Sequence, residues 1–212
     1  MSREACTHLA QDPAWRDLIG RVGRPRMVIE RKRSPYEALM RALAHQQLHG
    51  TAARAILARF DALYPGATFP SPEQVLSTPD AALRACGFSG SKIASMREIS
   101  ARAADGTVPT RRQAMRMSDA ELIERLTGIR GVGRWTVEML LIHTLGRPDI
   151  LPVDDFGVRD GYRALYGLEE QPKPRDLAAI GEAWAPFRST AAWYLWRASD
   201  EAKRARQPTS RA

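Results

Sequence analysis

Three glycines in six residues, Gly128-Ile129-Arg130-Gly131-Val132-Gly133, constrain this chain more than any other stretch. Glycine accepts positive φ and puts no Cβ between the backbone and whatever approaches it. An apolar run at helical spacing, Trp135 to Leu145, follows at once, so the turn opens a helix. The first N–H groups of a helix have no acceptor inside it, and such an end attracts anions. The glycines alone leave two readings open, an ordinary turn between helices or a grip on phosphate. A nucleotide P-loop is excluded, because GxxxxGK followed by Ser or Thr is absent. Leu126 before the turn, with Val132 and Trp135 after it, pairs the two helices as a hairpin. The stretch closes on Pro152-Val153-Asp154-Asp155, two adjacent carboxylates at the start of another helix.

Composition narrows the class. The 212 residues can bury one sizeable core or two small lobes. No uninterrupted apolar stretch is long enough to span a bilayer. The N-terminus lacks a charged-then-apolar signal pattern, which leads us to expect a cytoplasmic protein. Cys6 and Cys86 stand far apart without CxxC spacing, so free thiols are expected rather than a disulfide or zinc site. An excess of 32 basic over 24 acidic residues, +8 in all, favours a polyanionic partner.

Helix signals recur along the chain. Asp12-Pro13 starts or restarts a helix in 9–22, and Ser34-Pro35 starts another with Tyr36, Leu39, Met40 and Leu43 on its apolar stripe. Between them, 21–33 reads as a basic linker or a flank near DNA. A helix over 51–63, short ones at Ser71-Pro72 and Thr78-Pro79, and a long one that follows the segment 87–92 and runs to Ala104 come next. Lys92 and Arg97 on that long helix face either DNA or solvent. Ser118 and Glu121 form a capping box ahead of the glycine turn. Later helices are expected over 156–166, 177–183 and 187–204. With no convincing alternating run, the fold class is all-α.

Three ordered stretches then fit one pattern: Gly128 to Thr136, Leu151-Pro152-Val153-Asp154-Asp155, and Trp184-Ala185-Pro186-Phe187-Arg188-Ser189-Thr190. They resemble the helix-hairpin-helix (HhH-GPD) DNA glycosylases, and within them the AlkA-type 3-methyladenine DNA glycosylase II branch, from about Ser34 to Trp196. The resemblance implies two helical lobes with a DNA cleft between them; the prototype's N-terminal β-rich domain is not expected, since only about 33 residues precede the Ser34 helix. The central lobe would span 37–142, with the hairpin at about 119–142. Residues 1–36 and 143–204 would form the terminal lobe, with 205–212 a disordered basic tail. Its partner would be double-stranded DNA containing damaged bases, bound by a monomer and without a membrane.

The resemblance also assigns residues. Aligned on the paired aspartates, the catalytic carboxylate is Asp155, with Asp154 its cap or supporting carboxylate; aligned as in the oxoguanine branch, it is Asp154. Trp135, Met139 and Trp196 would line the base pocket, although packing alone would also explain the tryptophans. Gln47, with Gln46 second, would be the wedge pushed into the duplex. Gly128, Gly131, Val132, Gly133, Arg134 and Thr136 would hold phosphate, and the carbonyls of Thr127, Ile129 and Val132 a structural Na+ or K+ when DNA is bound. No other cofactor is implied, and with two cysteines the chain cannot carry the four-cysteine iron–sulfur cluster of some relatives.

The chemistry follows from the bond. Positive charge builds on the sugar as an N-glycosidic bond breaks, so a fixed carboxylate stabilises the transition state and can activate water. Relatives that also cleave the backbone carry lysine where this chain has Trp135, so no Schiff base can form there. Alkylated purines such as 3-methyladenine and 7-methylguanine are the expected substrates. Ethenoadenine, deaminated bases, or a non-catalytic DNA-binding role are the alternatives.

Overall fold

The computed structural model describes residues 3–46 and 50–206, and among these the chain is helical without a strand. The helices are α1 (Arg3–Leu9), α2 (Pro13–Val22), α3 (Pro35–His45), α4 (Gly50–Ala62), α5 (Pro72–Ser77), α6 (Asp80–Ala85) and α7 (Gly90–Ala104). Next come α8 (Arg111–Ala114), α9 (Asp119–Thr127), α10 (Arg134–Leu140), α11 (Phe156–Tyr166), α12 (Pro174–Gly181) and α13 (Arg188–Arg206). A single π-helical turn, Leu141–Leu145, continues α10, and a 3-10 turn, Glu182–Trp184, follows α12. No described helix is long and apolar enough to cross a membrane.

Local chemistry places most helix starts. Asp12 caps α2, Ser34 caps α3 and Ser89 caps α7 through side-chain oxygens. Ser71, Thr110 and Ser118 close full capping boxes with Gln74, Gln113 and Glu121. α1 carries no strong sequence signal, and α8, four residues long behind the Thr110–Gln113 box, was not anticipated either. α13 runs to Arg206, so residues 205 and 206 of the anticipated tail are helical; the rest of the tail lies outside the described residues.

The chain forms two compact units, one from residues up to Ile29 with those from Gly146 onward, the other from Glu30 to Leu145. The first has a core of Leu9, Trp15, Leu18, Val158, Leu177, Trp184, Tyr194 and Leu195. Its central contact is α11 against α13. At Gly161 a Cβ would overlap the Leu195 carbonyl, so glycine lets the two backbones meet. Ser199 on α13 donates to buried Asp160 on α11 at 2.7 Å, which fixes the sliding register of the pair.

The second unit buries Leu39, Leu43, Phe60, Ile93, Met96, Ile99, Leu122, Leu126, Val137 and Leu141. Phe60 packs edge-on against Tyr64 and Phe88. The cations of α7 serve this unit's own backbone. Lys92 Nζ donates to the Ala44 and Gln46 carbonyls at 3.1 and 2.8 Å, closing the C-terminus of α3. Arg97 reaches the carbonyls of Val75, Leu76 and Thr78 and the carboxylate of Asp80. Both charges that sequence left between DNA and solvent are engaged internally.

Candidate active site

The hairpin joins α9 to α10 through Gly128–Gly133, and its glycines play different parts. Only Gly131 has positive φ, +82°, and a Cβ there would lie 2.6 Å from Ser95 Cβ. Gly128 and Gly133 have ordinary φ of −69° and −85°. A Cβ on Gly133 would meet nothing within 4 Å, so packing does not require glycine at that position. Ile129 and Val132 are buried and anchor the turn, and the Val132 amide donates to the Ile129 carbonyl at 3.0 Å. Gly133 is the N-cap of α10, and no side chain caps that helix.

Gln46, at the end of α3, braces this turn. Its Nε2 donates to the Gly131 carbonyl at 3.1 Å and to Thr136 Oγ1 at 3.5 Å. Thr136 is buried, so its hydroxyl faces the protein; any phosphate contact there falls to its amide. Arg134 is exposed and pairs with the buried Glu138 one turn later at 2.9 Å.

Trp135, at 37% exposure, and Met139 line one cavity of about 410 Å³ with Ala42, His45, Thr136 and His143. Burial and the nearby cations of Arg54, Lys92, Arg41 and Arg33 push His45 below the ordinary imidazole value, which favours its neutral ring.

In the other unit, Asp155 is the N-cap of α11. Its Oδ1 accepts the Val158 amide at 2.8 Å and Trp196 Nε1–H at 2.9 Å. The cap role that sequence allowed to Asp154 therefore belongs to Asp155, and Asp154 is exposed. The loop leading to this carboxylate is clamped by the start of α13. Arg188 forms a two-pronged pair with Asp149, 2.8 Å on each arm. Ser189 Oγ accepts the Ile150 amide at 2.9 Å and donates to the Arg147 carbonyl at 2.8 Å. One helix thus holds the loop through Arg188 and Ser189 and its last carboxylate through Trp196. The Asp149 carboxyl is held below the usual carboxylate range by the Arg188 guanidinium, partly opposed by burial.

The model of the HhH-GPD superfamily base excision DNA repair protein matches residues 40–186. The chain belongs to the HhH-GPD superfamily. It is 47% identical over 190 residues to DNA-3-methyladenine glycosylase 1 of Schizosaccharomyces pombe, covering 89% of this chain and 83% of that protein. The solved Schizosaccharomyces pombe 3-methyladenine DNA glycosylase (Mag1), in complex with abasic DNA, matches with a TM-score of 0.86 at 46% identity, over 93% of this chain and 97% of that one. A DNA-3-methyladenine glycosidase from Bacillus halodurans matches with a TM-score of 0.84 at 34% identity, over 96% and 92% of the two chains.

For this HhH-GPD chain the structure groups Trp135 with Met139, and Asp155 with Trp196. Gln46 touches the hairpin, while Gln47 lies outside the described residues. Sequence reading missed Gly157, Arg188, Ser189 and the bracing role of Gln46. The Arg188-Ser189-Thr190 stretch was visible as a motif, but its contacts with 147–150 join segments about forty residues apart and leave no local trace.

Proposed function

We infer that this chain is a DNA glycosylase of base excision repair. It hydrolyses the N-glycosidic bond of alkylated purines, of the 3-methyladenine and 7-methylguanine type, in double-stranded DNA and leaves an abasic site. The observation that carries this reading is Asp155: a carboxylate at a helix N-terminus with two donors on one oxygen. Such a group is held in a fixed place, where a developing oxocarbenium ion needs a carboxylate. Asp155 would stabilise the sugar's positive charge and orient the attacking water. The methylated base leaves as a neutral molecule, so the reaction requires little acid catalysis.

The hairpin would supply position rather than chemistry. An uncapped helix start at an unobstructed glycine, in a chain of net charge +8, suits a DNA phosphate. Trp135 would offer its ring to a flipped, electron-poor base, an attraction of about 1–2 kcal/mol once desolvated. Because residue 135 is not lysine, the enzyme would be monofunctional. The carbonyls of Thr127, Ile129 and Val132 would hold a monovalent cation beside bound phosphate, the Ile129 oxygen through the lone pair that the Val132 amide leaves open. The substrate puts the protein wherever the cell keeps its DNA, the cytoplasm in a cell without a nucleus.

The test is base release from duplex DNA treated with a methylating agent, followed by alkali. Free 3-methyladenine, with nicks only after alkali, is the expected result. Nicks without alkali would contradict the monofunctional reading, and tight binding without release would favour a DNA-binding module.

A further inference from the structure

Trp196 offers two separate things, a flat ring and an N–H. We infer that the N–H is what function uses: Trp196 is a positioning residue for Asp155, and residue 157 is glycine because the bond between them needs the space. This rests on Asp155 being the catalytic carboxylate.

Two donors meet on Asp155 Oδ1 from different elements, the Val158 amide of α11 and the indole of α13. The amide holds Oδ1 from α11 and the indole holds the same oxygen from a second helix, so the carboxylate is tied to both elements. The indole itself has little freedom, because α13 is fixed on α11 at Gly161–Leu195 and at Asp160–Ser199. Position 157 gives independent support. It lies in the first turn of α11 and needs no positive φ, so its backbone conformation would accept alanine, which helix propensity favours. A Cβ there would sit 2.9 Å from Trp196 Cδ1 and 3.1 Å from Asp155 Oδ1. The space that glycine leaves is filled by this pair.

A wall for the base and a donor to the carboxylate respond differently to the same change. Trp196→Phe keeps an aromatic face and deletes the donor. In single-turnover excision, the maximal rate is expected to fall roughly ten- to hundredfold while the half-saturating enzyme concentration moves less than about twofold. The factor should be equal on methylated DNA and on an ethenoadenine duplex. In an Asp155→Asn background, Trp196→Phe should add nothing, since its effect passes through the carboxylate. Gly157→Ala should reproduce the fall in rate with DNA affinity kept. Placing 3-benzothienylalanine at 196 keeps the bicyclic shape without the N–H and should behave as Trp196→Phe, which separates lost bonding from lost packing.

Multiplying effects in the double variant, a loss that differs between the two lesions, or full activity with 3-benzothienylalanine would overturn the inference. A slow Asp155→Asn beside a fast Trp196→Phe overturns it alone. An Asp155→Asn protein as fast as wild type overturns the reading of Asp155 and this inference with it.

Discussion

Two helix starts in this molecule solve the same problem in opposite ways. α11 brings its own anion, because the Asp155 side chain accepts the Val158 amide. α10 begins at Gly133 with no side-chain cap hydrogen bond. Most other helix starts follow α11, with Asp12, Ser34, Ser71, Ser89, Thr110 and Ser118 all capping through side chains. A capped start stores a held negative charge, useful against a developing cation. An uncapped start at a glycine with open space before it is a place for someone else's anion. On the proposed function, the difference would divide the labour: α11 for chemistry, the hairpin for grip.

The sharpest way to break this division is Asp155→Asn. Removing the charge while keeping the shape should lower single-turnover excision by roughly 10²–10³-fold, with duplex affinity little changed. Base release under enzyme excess measures it. Equal loss of affinity would mean that Asp155 belongs to the grip.

Gly131→Ala attacks the other side. Its φ of +82° and the Ser95 Cβ at 2.6 Å make any side chain strained. The variant should lose about 1–2 kcal/mol of stability and bind duplex DNA roughly tenfold more weakly. Urea unfolding and a binding titration check both. By contrast, Gly133→Ala meets no packing conflict, so an affinity loss there with unchanged stability would show that the glycine serves the ligand.

Gln46→Leu should have a smaller effect. It removes the brace on the Gly131 carbonyl and should weaken DNA binding by about three- to tenfold, leaving the rate at saturating enzyme intact. A loss confined to the rate would return Gln46 to the wedge role suggested by sequence.

The smallest effect is expected at the clamp. Asp149 has its pKa lowered in the folded state by Arg188, so the pair stabilises the protein above the unfolded carboxylate's value of about 4. That contribution is lost as pH falls through the lower folded value. Arg188→Gln should therefore cost about 1 kcal/mol at neutral pH, and its difference from wild type should shrink as pH falls below about 4. Thermal melts across pH measure it.

What could be read from the chain follows the reach of each interaction. The Ser–Pro starts, the Ser118–Glu121 box and the glycine turn are local, three to six residues long, and were legible. The all-helical class followed from them. The π-helical turn at Leu141–Leu145 was not legible, because the pattern looked like one helix from Trp135 to Leu145. Three glycines looked alike in sequence, yet only Gly131 uses positive φ. The Asp154-Asp155 pair could be singled out by its motif. The bond between Asp155 and Trp196 could not, since it joins residues 41 apart and depends on how α13 lies along α11. Lys92 looked like a surface cation until its carbonyl partners at 44 and 46 were seen.

The most direct test of the division of labour is one lesion duplex titrated with wild type, Asp155→Asn and Gly131→Ala, reading affinity and single-turnover rate from the same samples. The account predicts that Asp155→Asn loses rate and keeps affinity, while Gly131→Ala loses affinity and keeps its rate at saturation within about threefold. Rate and affinity falling together in both variants would contradict it.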